Sequence, residues 1–186
     1  MVDEIRPHKP DPLCVRITVG GGNIELDYNV GTPTADLYTS KILINSTLST
    51  PVAKWCGCDL VNMYLNTDLT TNEYLRIHIN RIPQEFIDEY DLNKYVIPDG
   101  WVFAQFRKGM YELPQSGILT HNKSNKVLKT HGYTPVTHTP IIWRHHTLPI
   151  VFTLVVDDFR VKHVGEKHAR HLRDILAANY EGVHGD

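Results

Sequence analysis

Residues 151–161 read VFTLVVDDFRV. Val151 to Val156 are apolar or β-branched, the composition of a buried strand. Asp157 and Asp158 then interrupt it, and the apolar pattern resumes at Phe159. Asp tolerates turn conformations, so the pair is expected in a tight β-hairpin whose flanks pack into the domain. As turn residues alone the aspartates would need no further account. Two adjacent carboxylates beside a core, however, repel each other and lose hydration unless a cation or basic partner compensates. A divalent ion is the economical partner, because Mg²⁺ takes one or two carboxylates with waters and substrate phosphates. A second acid is then expected at another strand end. Asp59 qualifies: it closes AKWCGCD (53–59) and is followed by LVNMYLN. Two acids on neighbouring strand ends, holding two Mg²⁺ about 4 Å apart, suit in-line phosphoryl or nucleotidyl transfer.

At 186 residues the chain suits one domain with a real core. Its 41% apolar and 22% charged content is ordinary for a soluble globular protein. No apolar run approaches the roughly 20 residues of a membrane helix, so no membrane partner is expected. The polar start MVDEIRPHKPDP lacks a signal-peptide core, so secretion is not expected either. Three cysteines form no disulfide framework and fit a reducing compartment. Cys56 and Cys58 would share one face of a strand, which reads as structural rather than zinc-binding. Net charge is −2 but unevenly placed: residues 1–100 hold 8 basic and 14 acidic side chains, residues 101–186 hold 11 and 7. The basic half could meet phosphates, or be an ordinary solvated surface. The 11 histidines are scattered, and His145 and His146, being adjacent, would point apart.

Along the chain, residues 1–12 carry three prolines and are expected to form a flexible lead-in to a domain spanning 13–186. LCVRITVGGGNIELDY reads as two short strands around Gly20-Gly21-Gly22, a hairpin or a mobile loop. Thr32-Pro33 is a good helix start, and Leu37, Lys41, Ile44 and Leu48 recur at helical spacing up to Ser49-Thr50-Pro51. PQEFIDEYDLNKY predicts a short helix and loop, and WVFAQFRKGMYELP alternates as a strand that gives way to a helix after Pro114. Two or three strands follow through 140–164. EKHARHLRDILAANYE closes as an amphipathic helix with Ala169, Leu172, Ile175, Leu176 and Asn179 near one face. The order predicts an α+β fold with antiparallel strands and helices against one sheet face.

Three segments in this order resemble motifs of one family. DLVNMYLN (59–66) resembles the first palm motif of reverse transcriptases of copia-type LTR retrotransposons. RKGMYELPQSGIL (107–119) resembles that family's middle motif, and VVDD (155–158) its palm-hairpin motif. The resemblance spans most of residues 13–181 and implies the fingers–palm part of a right-hand polymerase, partial, without thumb or RNase H. By resemblance, Asp59, Asp157 and Asp158 are the catalytic acids. Asp59 and Asp157, with the backbone carbonyl of Leu60, would hold two Mg²⁺ ions, or Mn²⁺, and Asp158 would support the site. Tyr64 would reject ribonucleotides by clashing with a 2′-OH. Gln115 would contact the incoming nucleotide and template, and Arg16 the triphosphate oxygens. From the residues alone, Tyr64 reads as a core tyrosine, and Arg16 reads nearly as well as a solvated strand arginine.

The implied partners are an RNA or DNA template with its primer, deoxynucleoside triphosphates and other parts of a retrotransposon polyprotein. The implied location is a cytoplasmic virus-like particle or the nucleus. Three positions depart from the family pattern. Glu112 stands where the family has glycine, Cys14 where it has a lysine, and Met63 where many members have alanine. Two alternatives follow: a decayed or co-opted palm-fold fragment that at most binds nucleic acid, or another two-metal enzyme such as a nuclease.

Overall fold

The aspartate pair sits at the tip of a hairpin in a six-stranded antiparallel sheet. The computed structural model describes residues 2–5, 13–16 and 18–185, the first two segments as backbone. These residues divide into two compact units, residues 1–67 with 109–186, and residues 68–108.

In the first unit, strands β1 (Val2–Ile5) and β2 (Leu13–Arg16) pair antiparallel. Residues 2–5, read as part of a flexible lead-in, are thus the partner strand of 13–16. Helix α1 (Leu37–Leu48) precedes β3 (Lys54–Leu60). In the second unit, β4 (Asp68–His78) and β5 (Trp101–Lys108) pair antiparallel around the short helix α2 (Gln84–Glu89). There the Arg76 guanidinium stacks 4.2 Å from the Trp101 ring centroid. Back in the first unit come α3 (Pro114–Thr130), β6 (Tyr133–Val136), β7 (Thr139–His145), β8 (Ile150–Val155), β9 (Asp158–His163), α4 (Glu166–Asn179) and β10 (Val183–Gly185). The sheet order is β10-β3-β9-β8-β7-β6, every pair antiparallel. The architecture is mixed α+β.

Strand alternation divides the sheet into two different faces. Cys58, Leu60, Phe152, Leu154, Phe159 and Val161 share one core with Leu128 of α3 and with Leu172, Ile175 and Leu176 of α4. The two described cysteines are therefore packing residues: Cys58 lies in this core and Cys56 packs against it. Burial pushes the Cys58 thiol up to about 11, so it stays protonated at neutral pH.

The other face carries charge, and that sets the orientation of α1. Leu37, Lys41, Ile44 and Leu48 recur at helical spacing, but they are not its inward face. In the structure the buried residues are Thr39, Leu43 and Thr47, while Leu37, Ile44 and Leu48 are exposed. The helix meets β9 where Lys162 points out, and the ammonium donates to the Ser46 carbonyl (3.0 Å), Ser46 Oγ (2.6 Å) and Thr50 Oγ1 (2.8 Å). A half-buried ammonium needs oxygen acceptors, so the helix turns its hydroxyl side inward. The start is also later than Thr32-Pro33: Asp36 is the N-cap, its carboxylate accepting from Thr39 N–H at 2.7 Å. Leu43→Ala is expected to cost about 2–4 kcal/mol. Leu48→Ser, at an 80% exposed position, should stay within about 0.5 kcal/mol. Urea denaturation of both variants checks this.

Candidate active site

Site residues come from the ends of β3 and β9 and from two turns. Asp59 is directly opposite Asp158 across the β3–β9 pair. One position further, the Leu60 N–H donates to the Asp157 carbonyl at 3.0 Å. Leu60 and Asp157 are thus a hydrogen-bonded pair, which makes Asp59 and Asp158 the closer, non-hydrogen-bonded kind. Side chains in such pairs leave Cβ atoms about 4.5–5.5 Å apart on the same face, and like charges there are destabilising. His184 of β10 flanks Asp59 on the opposite side. Asp59 is exposed, and Asp157 and Asp158 are half-buried.

The hairpin tip is strained. Val155 and Asp158 close a two-residue turn made by Val156 and Asp157. Val156 holds φ at 58°, the left-handed region that glycine favours and a β-branched residue avoids. Such an outlier costs about 1–3 kcal/mol and persists only where its surroundings impose it.

Tyr64 lies in the 3₁₀ turn Met63–Asn66, which the chain enters through Asn62 at φ 51°. Its ring meets Tyr111 edge to face, with centroids 5.1 Å apart. Burial raises the Tyr64 phenol pKa, and the neighbouring Asp157 carboxylate and Tyr111 add to the shift. The first and middle motifs are also joined by backbone, since Gly109 N–H donates to the Thr67 carbonyl at 2.8 Å. A Cβ on Gly109 would lie 2.9 Å from the Tyr64 carbonyl oxygen, so glycine permits this approach. Met63 is buried in the main core. A narrow cleft beside Tyr64 and Val156, lined also by Thr32, Thr120 and Leu154, encloses ≈ 20 Å³, room for about one water.

Gly20-Gly21-Gly22 does not turn a hairpin. A 3₁₀ turn spans Gly21–Asn23, and the segment lies on the loop before α3. Val19 N–H donates to the Tyr111 carbonyl at 3.4 Å, and a Cβ on Gly21 would fall 1.9 Å from the Glu112 carbonyl oxygen. Glu112 itself holds φ at 69°. A glycine at this position would meet that conformation without strain, whereas glutamate meets it at a cost. Glu112→Gly is therefore expected to stabilise the fold by about 1 kcal/mol, the relieved strain less the added freedom of the unfolded chain. Glu112→Ala keeps a Cβ and should show no such gain when both are unfolded in urea.

Gln115 is fully buried in the first turn of α3 and exposes no surface. The Arg16 side chain, like that of Cys14, lies outside the described residues. Asp59, Leu60, Tyr64, Asp157 and Asp158 are thus brought to one region, while Gln115 faces inward.

One charged residue of the site is not apparent from the motifs. Arg160, two residues after Asp158 and on the same face, pairs with the Asp158 carboxylate. Period-two alternation along DFRV was the available signal. Lys162, next on that face, is committed to α1. Among the described residues no three His, Cys, Asp or Glu side chains form a metal-holding group. The donors fit Mg²⁺ as one or two carboxylates with backbone and water oxygens, the hard-oxygen set this ion takes. They do not form an all-protein cage. Among the described residues no helix is long and apolar enough to cross a membrane.

Comparison with known protein families, curated proteins and solved structures finds no match to this chain.

Proposed function

We propose that the chain is the fingers–palm part of an RNA-directed DNA polymerase of the copia type, transferring nucleotides to a primer 3′-OH. The observation that carries this reading is the meeting of three separate motifs. The DD hairpin tip adjoins the end of β3 through the Leu60–Asp157 hydrogen bond. Tyr64 senses the Asp157 carboxylate and packs on Tyr111 of the middle motif. Asp59 and Asp157, with the Leu60 carbonyl, would hold Mg²⁺. Bound there, the ions supply positive charge that acidifies a primer hydroxyl and neutralises a triphosphate. Asp157 follows the strained Val156 in the turn, and its backbone carbonyl meets Leu60 at the end of β3. Tyr64 would reject ribonucleotides by clashing with a ribose 2′-OH.

A catalytically silent palm-fold fragment is the second reading. It is favoured by the inward-facing Gln115, the strained Glu112 and the narrow cleft beside Tyr64. Incubation with an RNA template, a DNA primer, deoxynucleoside triphosphates and Mg²⁺ or Mn²⁺ separates the two. Primer extension supports the polymerase, and a folded protein that extends nothing under either metal supports the silent fragment. Cleavage without extension points instead to a nuclease.

A further inference from the structure

We infer that Arg160 is a built-in counter-ion of the carboxylate row, competing with divalent cations for Asp158 and so weakening metal binding at this site. The inference rests on the metal-site reading above. Asp59 and Asp158 form a close like-charge pair, which a sheet tolerates only with compensation. Arg160 supplies it: the guanidinium pairs with Asp158 from two residues along the same strand face. The residue opposite Arg160 on β3 is Gly57, where even a Cβ would meet nothing within 4 Å. No side chain there obstructs the arginine. The nearest basic group on the same strand face, Lys162, is held by Ser46 and Thr50 and cannot take this role. His184, beside Asp59 on β10, is exposed.

A metal ion that uses Asp158 must therefore displace a tethered cation. The ion pair is partly exposed, with side chains 48% and 33% accessible, so solvent moderates the competition. Metal at Asp59 and Asp157 alone is not blocked, but it faces the added positive field of Arg160. The site is thereby set toward weak metal binding, with Asp158 as the carboxylate that changes partners.

Mn²⁺ binding to the full chain, followed by the loss of the free-ion electron paramagnetic resonance signal, tests this. Arg160→Gln is expected to tighten Mn²⁺ binding about three- to tenfold. Arg160→Lys, which keeps the charge, should stay within about twofold, and the Arg160→Gln gain should shrink as ionic strength rises. In the Arg160→Gln background, Asp59→Asn and Asp157→Asn should each remove the binding. If those two variants abolish binding while Arg160→Gln leaves affinity unchanged or weaker, the counter-ion inference is overturned. If Mn²⁺ binds regardless of Asp59→Asn and Asp157→Asn, the metal-site reading beneath it is what fails.

Discussion

Asp157→Asn is expected to lower metal-dependent primer extension about 10³-fold while leaving the fold intact. Asn has the size of Asp and is equally at home in turns, so the strained tip can keep its shape. The backbone carbonyl of Asp157 still accepts from Leu60 N–H, because that bond does not involve the side chain. What is lost is the negative charge beside the end of β3, the part a hard cation requires. Tyr64 provides an internal readout that the change is local. The Asp157 carboxylate helps to raise its phenol pKa, so in Asp157→Asn that pKa should fall toward the value set by burial and Tyr111. A variant with normal denaturation, a lowered Tyr64 pKa and no extension is the expected result. Loss of cooperative unfolding would instead mean that Asp157 is a structural turn residue.

Phe152→Ala carries the largest expected effect on stability. Phe152 is fully buried at the middle of β8. Its ring lies 5.6 Å from Tyr133, 6.2 Å from Trp143 and 5.4 Å from Phe159, centroid to centroid. These rings come from β6, β7 and β9, so the phenyl group ties three strands to one another. Truncation removes the buried area and leaves a cavity that neighbours on a paired sheet cannot collapse to fill, a cost of about 3–5 kcal/mol. Domains of this size have a total stability of about 5–15 kcal/mol, so the variant should be marginal at best. Denaturant unfolding at fixed pH measures it directly, and a cost below about 2 kcal/mol would mean that the sheet repacks.

Elements whose burial follows a single period were legible in the residues. The closing helix is the clearest: of the five residues placed near one face by spacing, Ala169, Leu172, Ile175 and Leu176 are its buried residues, and Asn179 is half-buried. The hairpin of β8 and β9, the strand ending near Asp59, the helix after Pro114 and the short helix in PQEFIDEY were legible for similar reasons. The inward face of α1 was not legible, because hydropathy assumes an apolar neighbour and its neighbour is Lys162. Its exposed apolar residues, Leu37, Tyr38, Ile42 and Leu48, are the price of that orientation. Strand β10, three residues long, is too short to show a pattern, and it is defined by pairing with β3.

That Asp59 ends a strand neighbouring the aspartate hairpin was legible, but the exact pairing was not. Cross-strand register decides that Asp59 faces Asp158 and that Leu60 bonds to Asp157, and register is a property of pairing rather than of either strand. The Gly20-Gly21-Gly22 segment similarly shows its purpose only against Glu112, with which it makes a contact that a side chain would block. Arg160 was not apparent because VVDD ends two residues before it.

Mn²⁺ titration of the uniformly ¹⁵N-labelled chain, read as paramagnetic broadening of backbone amide signals, tests the central claim most directly. If the end of β3 and the tip of the β8–β9 hairpin form one cation site, then Leu60, Asp157 and Asp158 broaden first and together, and Asp59→Asn removes the effect. Broadening that begins elsewhere, or that is unchanged by Asp59→Asn, would contradict the account.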